Sequence, residues 1–213
     1  MDGARPSAAG VLGVAGALTA VAALENTVAP WAPFYVGYAA LATALPFLLG
    51  AARVAWPARP RVLHLIAALV LALLLQAAFR LVTAATDLGA MFGAVFTAAS
   101  ARLQRPPELI AARYILFIQL WAGLGEELFY RGYVQARLRD RWGPMPAIAT
   151  ASILYAVRHY TQVLLAWPAV PWGAATLWVA ATLVVGVALG VLYDRTRSLL
   201  PPIVCHYAFN LLG

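Results

Sequence analysis

The sequence predicts an all-α fold, a polytopic transmembrane helical bundle of about seven spans with one extra short re-entrant or interfacial segment. Three observations predict it. Hydrophobic residues make up 63% of the 213, where a soluble domain carries roughly 45–50% even with glycine counted. Charged residues make up 11%, against about 25% in a soluble domain. The apolar residues also gather into runs near the bilayer-crossing length of about 20 residues. One core of this size cannot hide so much apolar surface, so lipid is the solvent for part of it. A soluble enzyme and a disordered chain are excluded. The net charge of +7 does not make a nucleic-acid binder, because the 15 basic residues are spread over loops between apolar runs and form no single basic face. All 15 are arginine, and with the abundance of alanine this reads as a GC-rich genome. The expected home is a bacterial inner (cytoplasmic) membrane.

The runs place spans near 8–24, 32–52, 62–82, 110–136, 145–167, 172–193 and 200–213. The first run follows Arg5 and contains small-residue sites such as Ala20-Val21-Ala22. It opens into further spans, so it reads as a span and not as a cleaved signal. The stretch 88–101 is apolar but too short to cross, which makes it the re-entrant or interfacial segment. The last span is short. Positive-inside arithmetic supports seven crossings with the N-terminus inside. Nine arginines then lie inside (Arg5, Arg53, Arg59, Arg61, Arg137, Arg139, Arg141, Arg195 and Arg197) and four outside (Arg80, Arg102, Arg105 and Arg113). Were 88–101 also to cross, the split would be seven to six. No internal repeat or linker is visible, so residues 1–213 read as a single integral membrane domain. The aromatic stretch from Trp167 to Trp172 reads as an interfacial belt.

Ionisable residues inside such a bundle are costly, about 2.5–3.5 kcal/mol each at mid-bilayer on insertion scales, and are functional candidates by default. The spans hold Glu126, Glu127, Arg131, Arg158, His159 and His206, with Asn210 as a further polar residue. His64 sits near the start of a span beside Arg61 and reads as interfacial. The lone Cys205 excludes a disulfide framework and reads as a small buried filler.

Helical spacing organises the set. Glu127 and Arg131 are four apart and can pair on one face. Glu126 is turned about 100° from Glu127, so it is less well placed for Arg131 and stays available for chemistry. Tyr155 and His159 are four apart, as are His206 and Asn210. Three helices could thus bring Glu126, His159, His206 and Asn210 to one buried point. An apolar setting disfavours the charged form of a carboxylate and suits it to act as a general base on water. Histidine and asparagine can orient that water or donate to a developing oxyanion. The chemistry assembled this way is hydrolysis of a peptide bond without a covalent intermediate. The set Glu126, His159 and His206 could instead hold zinc, since three protein ligands plus water is the usual catalytic coordination. The sequence has no H-E-x-x-H helix, and it leaves open whether glutamate or a metal activates the water.

Bland readings stand beside these. Glu127–Arg131 can be an ion pair that only fixes helix register. His159 and His206 can pack against backbone carbonyls, and Asn210 can merely join helices. Membrane-embedded Glu and His also occur in proton-coupled transporters, although the paired interrupted helices of inverted-repeat transporters are missing here.

The segment Glu126-Glu127-Leu128-Phe129-Tyr130-Arg131-Gly132 resembles the E-E-x-x-x-R-G motif of the CAAX-protease and bacteriocin-processing (CPBP, Abi-like) intramembrane endopeptidases. Tyr155 through His159 resembles that family's second motif, with Tyr155 where phenylalanine is commoner and Arg158 where an apolar residue is commoner. Gly190 through Leu199, leading to His206-Tyr207-Ala208-Phe209-Asn210, resembles the third, H-x-x-x-N. The resemblance covers about residues 110–213 and implies a catalytic core there. It implies that Glu126 is the activating base, supported by Glu127 and Arg131. It further implies that His159 helps hold the water and that His206 with Asn210 forms the oxyanion site. It leans toward the glutamate-activated version, with no cofactor expected and a divalent metal such as zinc as the open alternative. The implied partners are the lipid bilayer and a membrane-anchored protein or peptide substrate. Two substrate classes compete: a lipidated or peptide precursor, and the C-terminal sorting tails of surface proteins handled by the myxosortase branch. Some members of the superfamily are catalytically silent immunity or scaffold proteins. No oligomeric state is legible.

Overall fold

Apolar helices without a soluble core should bury small residues and expose large ones to lipid. Helix α3 shows that inversion most plainly. The computed structural model of the chain describes residues 7–28, 36–49, 60–106, 108–109, 112, 120–166 and 170–212. Within them, α3 (Val62–Ala85) buries Ala68, Ala72 and Gln76. It exposes Leu63, Ile66, Leu69, Val70, Leu73, Leu74 and Leu81.

The other helices are α1 (Ala8–Val28), α2 (Val36–Leu48), α4 (Leu88–Leu103), α5 (Leu120–Glu126), a π-helical segment (Glu127–Gln135), α6 (Ala136–Trp142), α7 (Pro144–Ala166), α8 (Trp172–Thr196) and α9 (Leu200–Leu212). No strand occurs among the described residues, and the all-helical class expected from the sequence is what the chain adopts. Among the described residues three helices, α1, α3 and α8, are long and apolar enough to cross a membrane. Helices α2 and α9 are shorter apolar helices. Helix α7 has 23 residues, but Arg158 and His159 lie within it. The expected re-entrant stretch 88–101 is a helix of 16 residues, about 24 Å at 1.5 Å per residue, short of a hydrocarbon core of about 30 Å. Parts of the expected spans 32–52 and 110–136, and Arg5, Arg53, Arg59, Arg113 and Trp167, lie outside the described residues.

Helix α7 is central. It packs against α8 on one side and α1 on another, while α9 packs against α3 and α2 against α5. Val11, Ala15, Leu18 and Ala22 form the buried stripe of α1, at helical spacing. They meet Tyr38 and Ala42 of α2, the rings of Phe129, Tyr130 and Tyr133, and Ala147, Ala151 and Tyr155 of α7. Gly143 lets the chain turn between α6 and α7, with φ at 81° and its N–H donated to the Arg139 carbonyl at 3.0 Å. Pro144 then opens α7, a position where a missing N–H costs nothing.

A polar ladder fixes the register of the π-helical segment and α6 against α8. Arg131 Nη2 donates to the Gly186 carbonyl at 2.9 Å, and Gln135 Nε2 to the Gly190 carbonyl at 2.8 Å. Arg139 Nε meets Asp194 Oδ1 at 2.5 Å. Each partner set advances four residues at a time in the same direction, so the two stretches run parallel. Arg139 and Asp194 also bring the arginine-rich ends of α6 and α8 to one side, where the charge arithmetic places both.

Glycine makes the close approach possible. A Cβ on Gly186 would lie 3.2 Å from Ser152 Cβ and 3.3 Å from Ser152 Cα on α7, and backbone there cannot swing aside. Gly186→Ala is therefore expected to destabilise by about 1–3 kcal/mol, as overpacking does. Gly16→Ala, where a Cβ meets nothing within 4 Å, should cause no loss. Thermal unfolding of the detergent-solubilised chain checks both.

Candidate active site

The first site helix changes geometry where its acidic pair occurs. Helix α5 ends at Glu126, and the π-helical segment begins at Glu127. π-Helical turns are rare and recur at functional sites. All nine residues of this segment are buried, so its charges must find partners inside the protein.

They do. Arg131 Nη1 pairs with Glu127 Oε1 at 3.2 Å, the contact expected from the spacing. Glu127 is 0% and Arg131 1% exposed. The guanidinium of Arg131 lies 4.9 Å from the centre of the Tyr155 ring. From α9, His206 Nδ1 lies 2.9 Å from the same Glu127 oxygen. A carboxylate only accepts, so His206 Nδ1 carries the proton and donates it. The other ring nitrogen, Nε2, then faces Glu126 Oε2 at 3.9 Å. From α7, His159 Nδ1 lies 2.9 Å from the Tyr155 carbonyl, so it too donates, which leaves Nε2 to accept in the neutral ring. The Tyr155 ring lies between the two histidines, 4.4 Å from His159 and 6.3 Å from His206, centre to centre. Three helical stretches far apart in sequence thus bring Arg131, His159 and His206 around Tyr155, with Glu126 and Glu127 beside His206. Asn210, one turn beyond His206, is half-buried.

Glu126 differs from the expectation. It is buried and does not stand open: Arg158 Nη2 contacts its Oε1, and the Tyr38 hydroxyl lies 3.5 Å from the same oxygen. Adjacent helical residues point about 100° apart, so Arg158 turns away from His159 and meets the nearest carboxylate. Tyr38, Gln135 and Gly186 were not singled out from the sequence, and Gly190 entered only as the start of a motif lead-in. The one signal for Gln135, Gly186 and Gly190 was a four-residue period shared by Arg131, Gln135 and Arg139 with Gly186, Gly190 and Asp194.

Among the described residues, no three His, Cys, Asp or Glu side chains converge to hold a metal ion. Arg158 engages Glu126 Oε1, and each histidine is bonded within the protein through Nδ1, which leaves Nε2 as the ring atom available to the site. Cys205 is buried and lies in the packing between α3, α8 and α9, as a filler would.

Removing one partner of a buried ion pair strands the other, at a cost of about 3–5 kcal/mol. Arg131→Met is therefore expected to unfold at markedly lower temperature than the parent. Adding Glu127→Leu to it should recover at least part of that loss, measured by thermal unfolding in detergent. A double variant as unstable as the sum of its single changes would show that the pair is not a unit.

Comparison with curated proteins and with solved structures finds no match. Residues 108–212 match the family described as Type II CAAX prenyl endopeptidase Rce1-like. That stretch contains α5 to α9 and every acidic, basic and histidine residue of the expected site. Residues 108–212 thus form an Rce1-like domain of the type II CAAX prenyl endopeptidase kind.

Proposed function

We propose that this chain hydrolyses a peptide bond of a membrane-associated protein or peptide precursor by glutamate-activated water. Its Rce1-like stretch supports an intramembrane endopeptidase, with lipid around it and a membrane-associated substrate. The finer reading rests on one observation: His206, brought from α9, donates to Glu127 while its Nε2 faces Glu126 Oε2 at 3.9 Å.

In this reading each residue has a distinct task. Water donates to His159 Nε2 and gives its proton to Glu126 as its oxygen attacks the scissile carbonyl. His206, protonated on both nitrogens, donates Nε2–H to the oxyanion with Asn210 beside it. Glu127 stabilises the imidazolium as a buried carboxylate does for a catalytic histidine. Arg131 in turn balances Glu127. Collapse of the tetrahedral species breaks the C–N bond, and Glu126 delivers its proton to the leaving amine. The products are a carboxylic acid and an amine, with no covalent enzyme intermediate and no metal-bound step. The family name favours prenylated CAAX sequences as the substrate class. Nothing in the fold favours the sorting-tail chemistry of the myxosortase branch. The arginine-marked loops support a bacterial cytoplasmic membrane.

The test is proteolysis by the purified full chain, in detergent or nanodiscs, of a farnesylated peptide ending in a CAAX sequence. Cleavage is expected to persist in chelator. Glu126→Ala and His159→Ala should abolish it, and His206→Ala should lower kcat by about 10²–10³-fold, the usual effect of losing one oxyanion donor. All three variants should still accumulate in membranes. Normal cleavage by all three would overturn the mechanism. Transport or immunity that survives Glu126→Ala would favour a non-proteolytic role.

A further inference from the structure

Helix α2 lies outside the Rce1-like stretch, yet it reaches the centre of the site. Tyr38 is 0% exposed, and its hydroxyl lies 3.5 Å from Glu126 Oε1. Arg158, 4% exposed, contacts that same oxygen from α7. The guanidinium carbon of Arg158 lies 4.5 Å from the centre of the Tyr38 ring. Each of the three groups therefore touches the other two. A second feature brings α2 close. A Cβ on Gly125 would lie 2.9 Å from Thr43 Oγ1, 3.1 Å from the Ala39 carbonyl and 3.3 Å from Ala42 Cβ. Only glycine beside Glu126 lets α2 pack at this distance.

The arrangement has a physical logic. A buried carboxylate needs both a countercharge and hydrogen bonds. A planar guanidinium supplies the charge and stacks on an aromatic face that shields it from water. The hydroxyl supplies a second donor to the same oxygen. The two carboxylate oxygens of Glu126 are thereby made unequal. Oε1 is held by Tyr38 and Arg158, and Oε2 is the one that faces His206.

We propose that Tyr38 and Arg158 are positioning residues for Glu126, and that helix α2 completes the active site by fixing which oxygen of Glu126 meets the water. The inference rests on the peptidase reading above, with Glu126 as its base. Tyr38 and Arg158 act through Glu126 and need not touch substrate.

The test uses the full chain in nanodiscs with the same farnesylated CAAX peptide, and a second readout that needs no activity. The infrared carboxylate band of Glu126 is isolated as the difference from Glu126→Gln. Tyr38→Phe keeps the ring and removes the donor. It is expected to lower kcat by about 3–10-fold, the worth of one hydrogen bond, with KM within about twofold. It should also shift the Glu126 band and leave the unfolding temperature unchanged. Arg158→Gln should lower kcat by about 100-fold, the worth of a charged hydrogen bond, and Arg158→Lys should recover part of that. An unmoved band with parental kcat in both Tyr38→Phe and Arg158→Gln would overturn the proposal. So would a fall in unfolding temperature with kcat and the band unchanged, which is the mark of a packing residue. If the parent chain leaves the peptide intact, the peptidase reading fails on that substrate, and the band shift alone decides whether Tyr38 and Arg158 position Glu126.

Discussion

The structure depends on the need to compensate charge that has been taken out of water. A bundle this apolar offers no solvent to Glu127 or Arg131, which are both buried. Each must satisfy the other and recruit further partners. Glu127 Oε1 takes the Arg131 guanidinium at 3.2 Å and His206 Nδ1 at 2.9 Å. Arg131 Nη2 donates to the Gly186 carbonyl. One ion pair thereby ties the π-helical segment to α8 and α9, and it orients a histidine toward the second glutamate. Stability and chemistry draw on the same atoms.

Packing then serves that pair. The ladder of Arg131, Gln135 and Arg139 against Gly186, Gly190 and Asp194 needs backbone carbonyls within reach of side chains. Glycine at 186 and 190 clears the space, since a Cβ at Gly190 would lie 3.0 Å from Gln135 Oε1. The same device recurs on the other side of the site, where Gly125 admits α2. Small residues at closely packed interfaces are common in membrane bundles, where helices gain contact by approach and not by escape from water. Here the approach also delivers polar groups to buried charges.

Much of this was legible in the sequence. The apolar run 62–82 became Val62–Ala85, and 172–193 became Trp172–Thr196, because span length is imposed by the bilayer and read from hydropathy. The Glu127–Arg131 pair was legible because both residues lie on one short stretch at fixed spacing. That Glu126, His159 and His206 stood out followed from their cost in an apolar setting. Tyr38 was not legible, since a tyrosine in an apolar run looks like any interfacial or packing aromatic, and its partner lies far away in sequence. The role of Arg158 was not legible either, since its neighbour in the chain is His159 and not a carboxylate. In space it answers to Glu126. Partners set by which helices touch are invisible to local spacing.

The claim that one charge network unites these helices is tested most directly by a double-mutant cycle between Glu127 and His206. Glu127→Gln, His206→Gln and the double variant are compared for unfolding free energy in detergent. The two residues sit on separate elements and share a contact of 2.9 Å, so their effects should be coupled by about 0.5–3 kcal/mol, as for residues in one network. Additivity within about 0.5 kcal/mol would contradict the account, because it would mean that α9 docks without reading the charge on the π-helical segment.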